Sequence, residues 1–246
     1  MENVNDIYFD GHYKHIWRSM IPDELTVKEV DFMLSYFNLQ PGSKVVDLMC
    51  GYGRHTLSLA GKGIEVTAVD NLPYYINEIR AKSKDLPVKA VEKEVLDFTT
   101  DEEFDLAICM GNSLNFFNAA DTTQIFKNVF SYLKKGGSLL INSVALAEIT
   151  YKTYRKEKIW SEYDGIRHLA DYEIQFHPTR LEIKSIMIGP DGSTEEKKAV
   201  DYIFSINEME KMMNEAGLIL KEIYSIPGKK KFTVGEPRAY IVAEKN

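Results

Sequence analysis

The chain has 246 residues and a formal net charge of −7, and 44% of its residues are hydrophobic and 27% charged. This composition is typical of a globular protein with a hydrophobic core, and the acidic balance argues against duplex nucleic acid as a partner. No apolar run reaches the roughly 18 residues of a membrane span, and the amino terminus lacks the apolar region of a signal peptide. Two cysteines, Cys50 and Cys109, are too few for a disulfide scaffold, so we predict a cytoplasmic protein without membrane association.

Residues 1–40 are predicted to form a helical and aromatic cap. Apolar residues recur at helical spacing between Asp23 and Phe37, after a Pro-Asp-Glu helix start. The earlier aromatic residues, such as Tyr13 and Trp17, either cover a ligand pocket or pack against the core. No pattern of His, Cys and carboxylate residues predicts a metal site.

Residues 44–60 predict a buried strand, a glycine turn and a helix. The apolar run Val45–Met49 is typical of a parallel strand, and Leu57 begins a helical pattern. Gly51 and Gly53 lie between them, where glycine adopts a positive φ at little cost and lets a ligand approach the backbone. This arrangement presents backbone N–H groups to a nucleotide-like ligand.

Strand-like runs alternate with helical segments as far as residue 144. The further strands are predicted at 63–70, 87–91, 104–110 and 138–142. One helix is predicted over 121–134, ended by Lys134-Lys135 and followed by a turn at Gly136-Gly137. The alternation predicts an α/β fold with a doubly wound, mostly parallel sheet. Because ligands of such sheets bind at the carboxyl ends of strands, four residues there should converge on one crevice. These residues are Gly51, Asp70, Asp97 and Gly111.

Residues 146–201 have the pattern of an antiparallel β insert. The runs Tyr163–His177 and Arg180–Ile188 are strand-like, and Gly189–Gly192 is a strong turn signal after the second run. Lys198–Phe204 can pair back as a third strand. We expect the insert to lie over the crevice as a lid or an additional sheet.

The carboxyl-terminal part completes the main domain. Ser205 and Glu208 form a capping-box pattern at the start of a helix over 206–216. Leu218–Ile226 and Arg238–Ala243 predict two closing strands. The predicted organisation is a cap (1–40), a main domain (41–145 plus 202–246) and an insert (146–201).

Two classes of nucleotide-like ligand fit the glycine turn. A dinucleotide site usually has a third glycine, but Thr56 stands at that position here. Asp47 immediately precedes the turn, which suits a ligand with a cationic ammonium group. Asp70, about twenty residues further on, is placed to accept hydrogen bonds from ribose hydroxyls.

Six ordered segments resemble the motifs of class I S-adenosylmethionine-dependent methyltransferases, which have a seven-stranded, Rossmann-like sheet. The first is similar to the D-L-x-C-G-x-G-R-H variety of motif I, and in the fifth Lys135 stands where proline is usual. The segments are Val46–His55, Val66–Asp70, Val95–Phe98, Phe104–Ser113, Leu133–Ile141 and Phe204–Leu218. The resemblance implies an enzyme that uses S-adenosyl-L-methionine and transfers its methyl group by in-line displacement at the sulfonium.

The resemblance also implies which residues bind the cofactor. Asp47 would hold its amino group, Asp70 its ribose hydroxyls, and Asp97 the edge of its adenine. Two alternatives remain open: Asp47 could cap the loop, and Glu92 or Glu94 could take the place of Asp97 in a different register. The full implied set is Asp47, Cys50, Gly51, Gly53, Asp70, Asn71, Leu72, Leu96, Asp97, Met110, Gly111 and Asn112.

The methyl acceptor is less well defined by the sequence. A general base is needed only where the acceptor loses a proton, and the candidates on the expected pocket wall are His12, Tyr13, Asn115 and His168. Aromatic residues in the cap and insert favour a small-molecule acceptor. The alternatives are methylation of RNA or protein, a non-catalytic S-adenosylmethionine-binding sensor or scaffold, and an NAD(P)-dependent oxidoreductase. The sequence indicates no oligomeric state.

Overall fold

The centre of the protein is a parallel sheet formed by the apolar runs between residues 44 and 143. Its strands are β1 (Lys44–Leu48), β2 (Glu65–Asp70), β3 (Val88–Glu92), β4 (Phe104–Cys109) and β5 (Leu133–Ser143). In the computed structural model, which describes residues 3–246, β1 lies between β2 and β4, so the strand order reverses there. Val45 and Val46 pack into hydrophobic clusters on opposite faces of the sheet, which confirms the doubly wound arrangement.

Three antiparallel strands extend the sheet beyond β5, so that it has eight strands where seven were expected. They are β10 (Leu218–Ile226), β11 (Lys230–Lys231) and β12 (Ala239–Lys245). β12 pairs with β5 and β10, and the two-residue β11 pairs with the outer edge of β10. The eighth strand forms because the chain turns at Gly228, with φ of 65°, and returns beside Tyr224, whose ring centroid lies 4.7 Å from the Lys231 ammonium.

Helices cover both faces of this sheet. They are α2 (Asp23–Tyr36), α3 (Arg54–Ala60), α4 (Pro73–Lys82), α5 (Ala119–Tyr132), α6 (Ala147–Thr153) and α7 (Ile206–Glu215). The preceding helix, α1 (Tyr13–Ser19), packs against the insert. Val30 of α2 and Leu59 of α3 join the core cluster that contains Val45. Phe126 of α5 and Met213 of α7 join the cluster on the other face. The sheet is therefore buried on both sides, as its continuous apolar runs predicted.

The end of α5 differs from the prediction. The helix ends at Tyr132, and Lys134 and Lys135 lie in β5 rather than in the last helical turn. The pairing between β4 and β5 jumps from Leu133 to Ser138, so the glycine turn is contained within β5 as an irregularity. Lys134 instead binds Asp105, with 2.6 Å between Nζ and Oδ1.

The insert forms a separate four-stranded antiparallel sheet. Its strands, in spatial order, are β6 (Ile159–Tyr163), β7 (Ile166–Gln175), β8 (Arg180–Ile188) and β9 (Thr194–Tyr202). The sequence predicts one long strand over Tyr163–His177 and does not predict β6. The chain turns instead at Asp164-Gly165, where both residues have a positive φ, and this dipeptide is a hairpin signal that the prediction did not use. Ile16 of α1 packs against the same sheet.

The predicted capping box at the start of α7 is confirmed. The Ser205 hydroxyl accepts from the Glu208 N–H at 3.2 Å, and the Glu208 carboxylate accepts from the Ser205 N–H at 2.7 Å. Ser205→Ala removes one of these bonds, so we expect the free energy of unfolding to fall by about 1 kcal/mol. Urea denaturation measures this change. Ser131→Ala, at an exposed position inside α5, is the control and should change little; equal losses in the two variants would contradict the capping role.

Candidate functional site

The carboxyl ends of β1, β2 and β4 border a cleft of about 870 Å³ that opens to solvent. The cleft lies where the strand order reverses, which is the expected position of a ligand site in an open α/β sheet. Most of the residues expected to bind the cofactor line it. They are Asp47, Cys50, Gly51, Asp70, Asn71, Leu72, Met110 and Gly111. We call this space the first cavity.

Asp70 connects two loops at the floor of the first cavity. One carboxylate oxygen accepts from the Gly51 N–H at 2.8 Å, and the other accepts from the Leu72 N–H at 3.0 Å. Burial raises the pKa of Asp70 to about 6, although these two backbone hydrogen bonds act in the opposite direction. The carboxylate therefore positions both the glycine turn and the start of α4, and it faces the space where a ligand would lie.

Asp47 is fixed by the residue that replaces the third glycine of a dinucleotide site. The Thr56 hydroxyl donates to Asp47 Oδ2 at 2.7 Å, and Asp47 is only 2% exposed. Burial raises the pKa of Asp47, and the charge of His55 and the hydrogen bond from Thr56 oppose this effect. The Asp47 side chain also lines the first cavity. It can therefore hold the loop through Thr56 and contact a ligand at the same time.

Four expected cofactor-binding residues do not line the first cavity. Leu96 and Asp97 belong to a short 3-10 helix over Val95–Asp97, and Glu94 and Val95 face the cavity in their place. The Glu94 carboxylate caps this helix at the Val95 N–H (2.9 Å) and accepts from the Asn71 amide (3.0 Å). Glu94, one of the two alternatives named for this segment, thus faces the first cavity, whereas Asp97 does not.

Gly53 and Asn112 also lie outside the first cavity, for different reasons. Gly53 is the N-cap of α3 with φ of 77°, and a Cβ there would lie 2.7 Å from Ile79 Cγ1. This glycine is thus needed for the close packing of α3 against α4. Asn112, with φ of 71°, faces a second cavity instead.

The second cavity encloses about 1530 Å³ between the N-terminal segment, the ends of β4 and β5, and the insert sheet. It opens to solvent and adjoins the first cavity. The two cavities share five wall residues. These are Phe9, Trp17, Arg54, Gly111 and Phe116. The aromatic residues of the N-terminal segment therefore both pack against the protein and cover a pocket, so the two roles considered for them coexist.

One of the four candidate bases lies on the wall of the second cavity. That residue is Tyr13, and burial raises the pKa of its hydroxyl well above the ordinary value. The other three make structural hydrogen bonds and line neither cavity. His12 Nε2 lies 2.9 Å from Ser193 Oγ, and His168 Nε2 lies 3.0 Å from Ser185 Oγ. Asn115 donates to the Tyr202 carbonyl at 2.8 Å.

A buried charge cluster in the walls of the two cavities was not predicted. Glu29 of α2, 1% exposed, accepts from Arg54 (2.6 Å) and the Tyr240 hydroxyl (2.7 Å), and it lies 2.8 Å from His55 Nε2. Burial alone would raise the pKa of Glu29, but the hydrogen bond and charge of His55 and the charge of Arg54 lower it to about 2. The sequence signal that could have revealed this cluster is Glu29 itself, an acid within the apolar stripe of α2. The cluster fixes Arg54 at the boundary between the cavities.

Among residues 3–246, no three His, Cys, Asp or Glu side chains are grouped as a metal site would require. Over the same residues, no helix has the length and apolar character needed to cross a membrane.

Comparison with known proteins agrees with this geometry. A family model described as a methyltransferase domain matches residues 45–137. The chain is 26% identical over 215 residues to the putative methyltransferase YqeM of Bacillus subtilis, covering 82% of each protein. It is 28% identical over 151 residues to carboxy-S-adenosyl-L-methionine synthase of Yersinia enterocolitica, and this match spans 56% of that protein's length.

Solved structures show the same fold. A S-adenosylmethionine-dependent methyltransferase from Clostridium acetobutylicum superposes with a TM-score of 0.80 at 19% identity, over 94% of this chain and 95% of that chain. CalS10, an amino pentose methyltransferase from Micromonospora echinaspora, superposes with a TM-score of 0.73 at 16% identity, over 96% and 98%. The fold is therefore that of class I, Rossmann-like methyltransferases. The matched domain and these relatives support an enzyme that is an S-adenosylmethionine-dependent methyltransferase and uses S-adenosyl-L-methionine.

Proposed function

We propose that the enzyme transfers the sulfonium methyl group of S-adenosylmethionine to a small organic acceptor bound in the second cavity. The observation that carries this proposal is the shared wall between the two cavities, at Gly111 and Phe116. A donor in the first cavity and an acceptor in the second would meet there. Holding the two reactants in contact and in line is the main contribution that a protein makes to this reaction.

The residues around the first cavity fit the proposed orientation of the cofactor. The Asp70 carboxylate suits ribose hydroxyls, Asp47 suits an ammonium group, and Glu94 with Asn71 suits the polar edge of a base. When bound, the cofactor supplies an electrophilic methyl group on a cationic sulfur. Met110 and Gly111 then line the side of the cleft that faces the second cavity.

The second cavity supports a small acceptor rather than a macromolecule. Its walls come from three parts of the chain, and they include aromatic rings packed on each other: the centroids of Phe9 and Phe116 are 5.1 Å apart, and those of Tyr8 and Tyr13 are 4.2 Å apart. Such rings exclude water from the reacting atoms. CalS10, one of the similar structures, is described as an amino pentose methyltransferase, and an amino pentose is a small sugar. We therefore assign the cap and the insert sheet to acceptor binding.

The proposal is tested with methyl-labelled S-adenosylmethionine and a cell extract separated into small-molecule and macromolecular fractions. Label should pass to the small-molecule fraction. Ile183→Trp, which fills the second cavity from β8, should abolish transfer and leave cofactor affinity unchanged. Ile186→Trp is the control, because Ile186 lies on the other face of β8 and is 40% exposed. Label in RNA or protein alone, or tight cofactor binding without any transfer, would overturn the proposal.

A further inference from the structure

Asp201 places a carboxylate on an otherwise apolar wall of the second cavity. Side chains of the insert sheet at alternating positions face this cavity. They are Tyr172, Leu181, Ile183, Ala199 and Asp201. The other acid on the cavity wall, Glu29, is held by Arg54 and His55. Asp201 accepts one side-chain hydrogen bond, from Asn112 Nδ2 at 3.3 Å, and leaves acceptor capacity for a ligand.

Asn112 determines where this carboxylate lies. Its Oδ1 accepts from the backbone N–H groups of Val144 (2.9 Å) and Ala145 (3.2 Å), which orients its amide nitrogen toward Asp201. Asn112 directly follows Gly111, which belongs to both cavities. The carboxylate is therefore fixed beside the point where the donor and the acceptor would meet.

The surroundings of Asp201 favour a cationic or proton-donating ligand. The titratable groups that face it are the hydroxyls of Tyr8, Tyr13 and Tyr172, and burial keeps all three neutral by raising the pKa of each. Aromatic faces attract a cation. Among residues 3–246, three cations also lie on the cavity wall, and each has a partner elsewhere. Arg54 binds Glu29, Arg155 donates to the carbonyls of Lys152 and Tyr154, and Arg238 interacts with Tyr240.

We propose that the methyl acceptor is a small amine, and that Asp201 binds its nitrogen and removes the proton that this nitrogen must lose. This inference rests on the proposed function. An alkylammonium group titrates near pH 10, as lysine does, whereas a hydroxyl titrates near 16, as water does. A carboxylate is therefore a competent proton acceptor for an ammonium and a poor one for an alcohol.

The step balances with the groups named. An ammonium acceptor gives one proton to the Asp201 carboxylate, which frees the nitrogen lone pair. The nitrogen–methyl bond then forms as the carbon–sulfur bond breaks, and that electron pair stays on sulfur. The positive charge passes from sulfur to the methylated nitrogen, and Asp201 releases its proton to solvent. Burial raises the pKa of Asp201 to about 7, opposed by the Asn112 hydrogen bond, so the carboxylate can both take and release a proton near neutral pH.

The experiment identifies the labelled small molecule by mass spectrometry and then compares two variants. With the acceptor in hand, Asp201→Asn should lower kcat/KM about 100-fold. It should also move the acidic limb of the pH profile from about 7 toward the pKa of the amine itself, about 10. The variant should also weaken binding of the amine, measured by calorimetry with S-adenosylhomocysteine present, and leave S-adenosylhomocysteine affinity unchanged. Glu196→Gln is the matched control, an exposed acid on the same strand.

The outcomes separate the two proposals. Methyl transfer to an oxygen or carbon atom of a small molecule would overturn the amine assignment and leave the proposed function intact. An Asp201→Asn enzyme that keeps both its kcat/KM and the acidic limb of its pH profile would overturn the role of Asp201. Absence of transfer to any small molecule would overturn the proposed function and the inference with it.

Discussion

Glu29→Gln should lower the free energy of unfolding by about 3 kcal/mol, the loss expected when one partner of a buried ion pair is removed. Glu29 is bound to Arg54, His55 and Tyr240 at 2.6 to 2.8 Å. Glutamine keeps the shape and one acceptor but not the charge, so the partly buried Arg54 guanidinium loses its counter-charge. Urea denaturation measures the effect. Asp31→Asn, an exposed acid on the same helix, is the control and should change the free energy by less than about 0.5 kcal/mol.

The pH dependence of stability gives an independent test of the same cluster. The folded-state pKa of Glu29 is about 2, below its ordinary value of 4.5. In this interval the unfolded chain binds the proton and the folded protein does not, so stability rises with pH. The stabilisation is complete above about pH 4.5 and is lost as the pH falls toward 2. Wild-type protein should therefore lose stability in acid more steeply than Glu29→Gln, and parallel curves would contradict the assignment.

Asp70→Ala should weaken S-adenosylmethionine binding by about 10- to 100-fold, which corresponds to the loss of hydrogen bonds to a charged group. The carboxylate is 6% exposed and faces the first cavity. Because Asp70 also anchors the N–H groups of Gly51 and Leu72, unfolding must be measured alongside affinity. Calorimetry gives the dissociation constant. An affinity equal to that of the wild-type protein would refute the proposed ribose contact.

The matched control for Asp70 tests the register of the acidic segment as well. Asp97→Ala should leave cofactor affinity unchanged, because Asp97 does not line the first cavity. Glu94→Ala should weaken binding, because Glu94 faces that cavity and holds Asn71. The reverse result for these two acids would restore the assignment made from the sequence.

Cofactor affinity should also depend on pH through Asp70. Its pKa is raised to about 6, so the charged form that accepts hydroxyl donors is lost as the pH falls below that value. Affinity should therefore decrease from pH 7 to pH 5, and Asp70→Asn should show a flat profile. A wild-type profile without this decrease would show that ligand binding does not require the carboxylate.

The sequence alone predicted the alternation of strands and helices in the main sheet and the convergence of Gly51, Asp70 and Gly111 on one cleft. This was possible because the signals are local. The apolar runs, the glycine turn before α3 and the capping box at Ser205 each depend on residues within a few positions of one another. Where a local signal was ambiguous, as at Lys134-Lys135, the predicted boundary between α5 and β5 was wrong.

Tertiary structure decided which acids face a ligand and where an acceptor can bind. Glu94 faces the first cavity and Asp97 does not, because the chain after Glu94 turns into a 3-10 helix over Val95–Asp97. The Glu29 cluster joins residues 211 positions apart, and Asn112 meets Asp201 across 89 positions. No periodicity encodes such contacts. The first depends on how α2 packs against α3 and β12, and the second on how β9 of the insert packs over the ends of β4 and β5. The glycine turn is thus visible in the sequence, whereas the second cavity and the position of Asp201 on its wall arise only from packing.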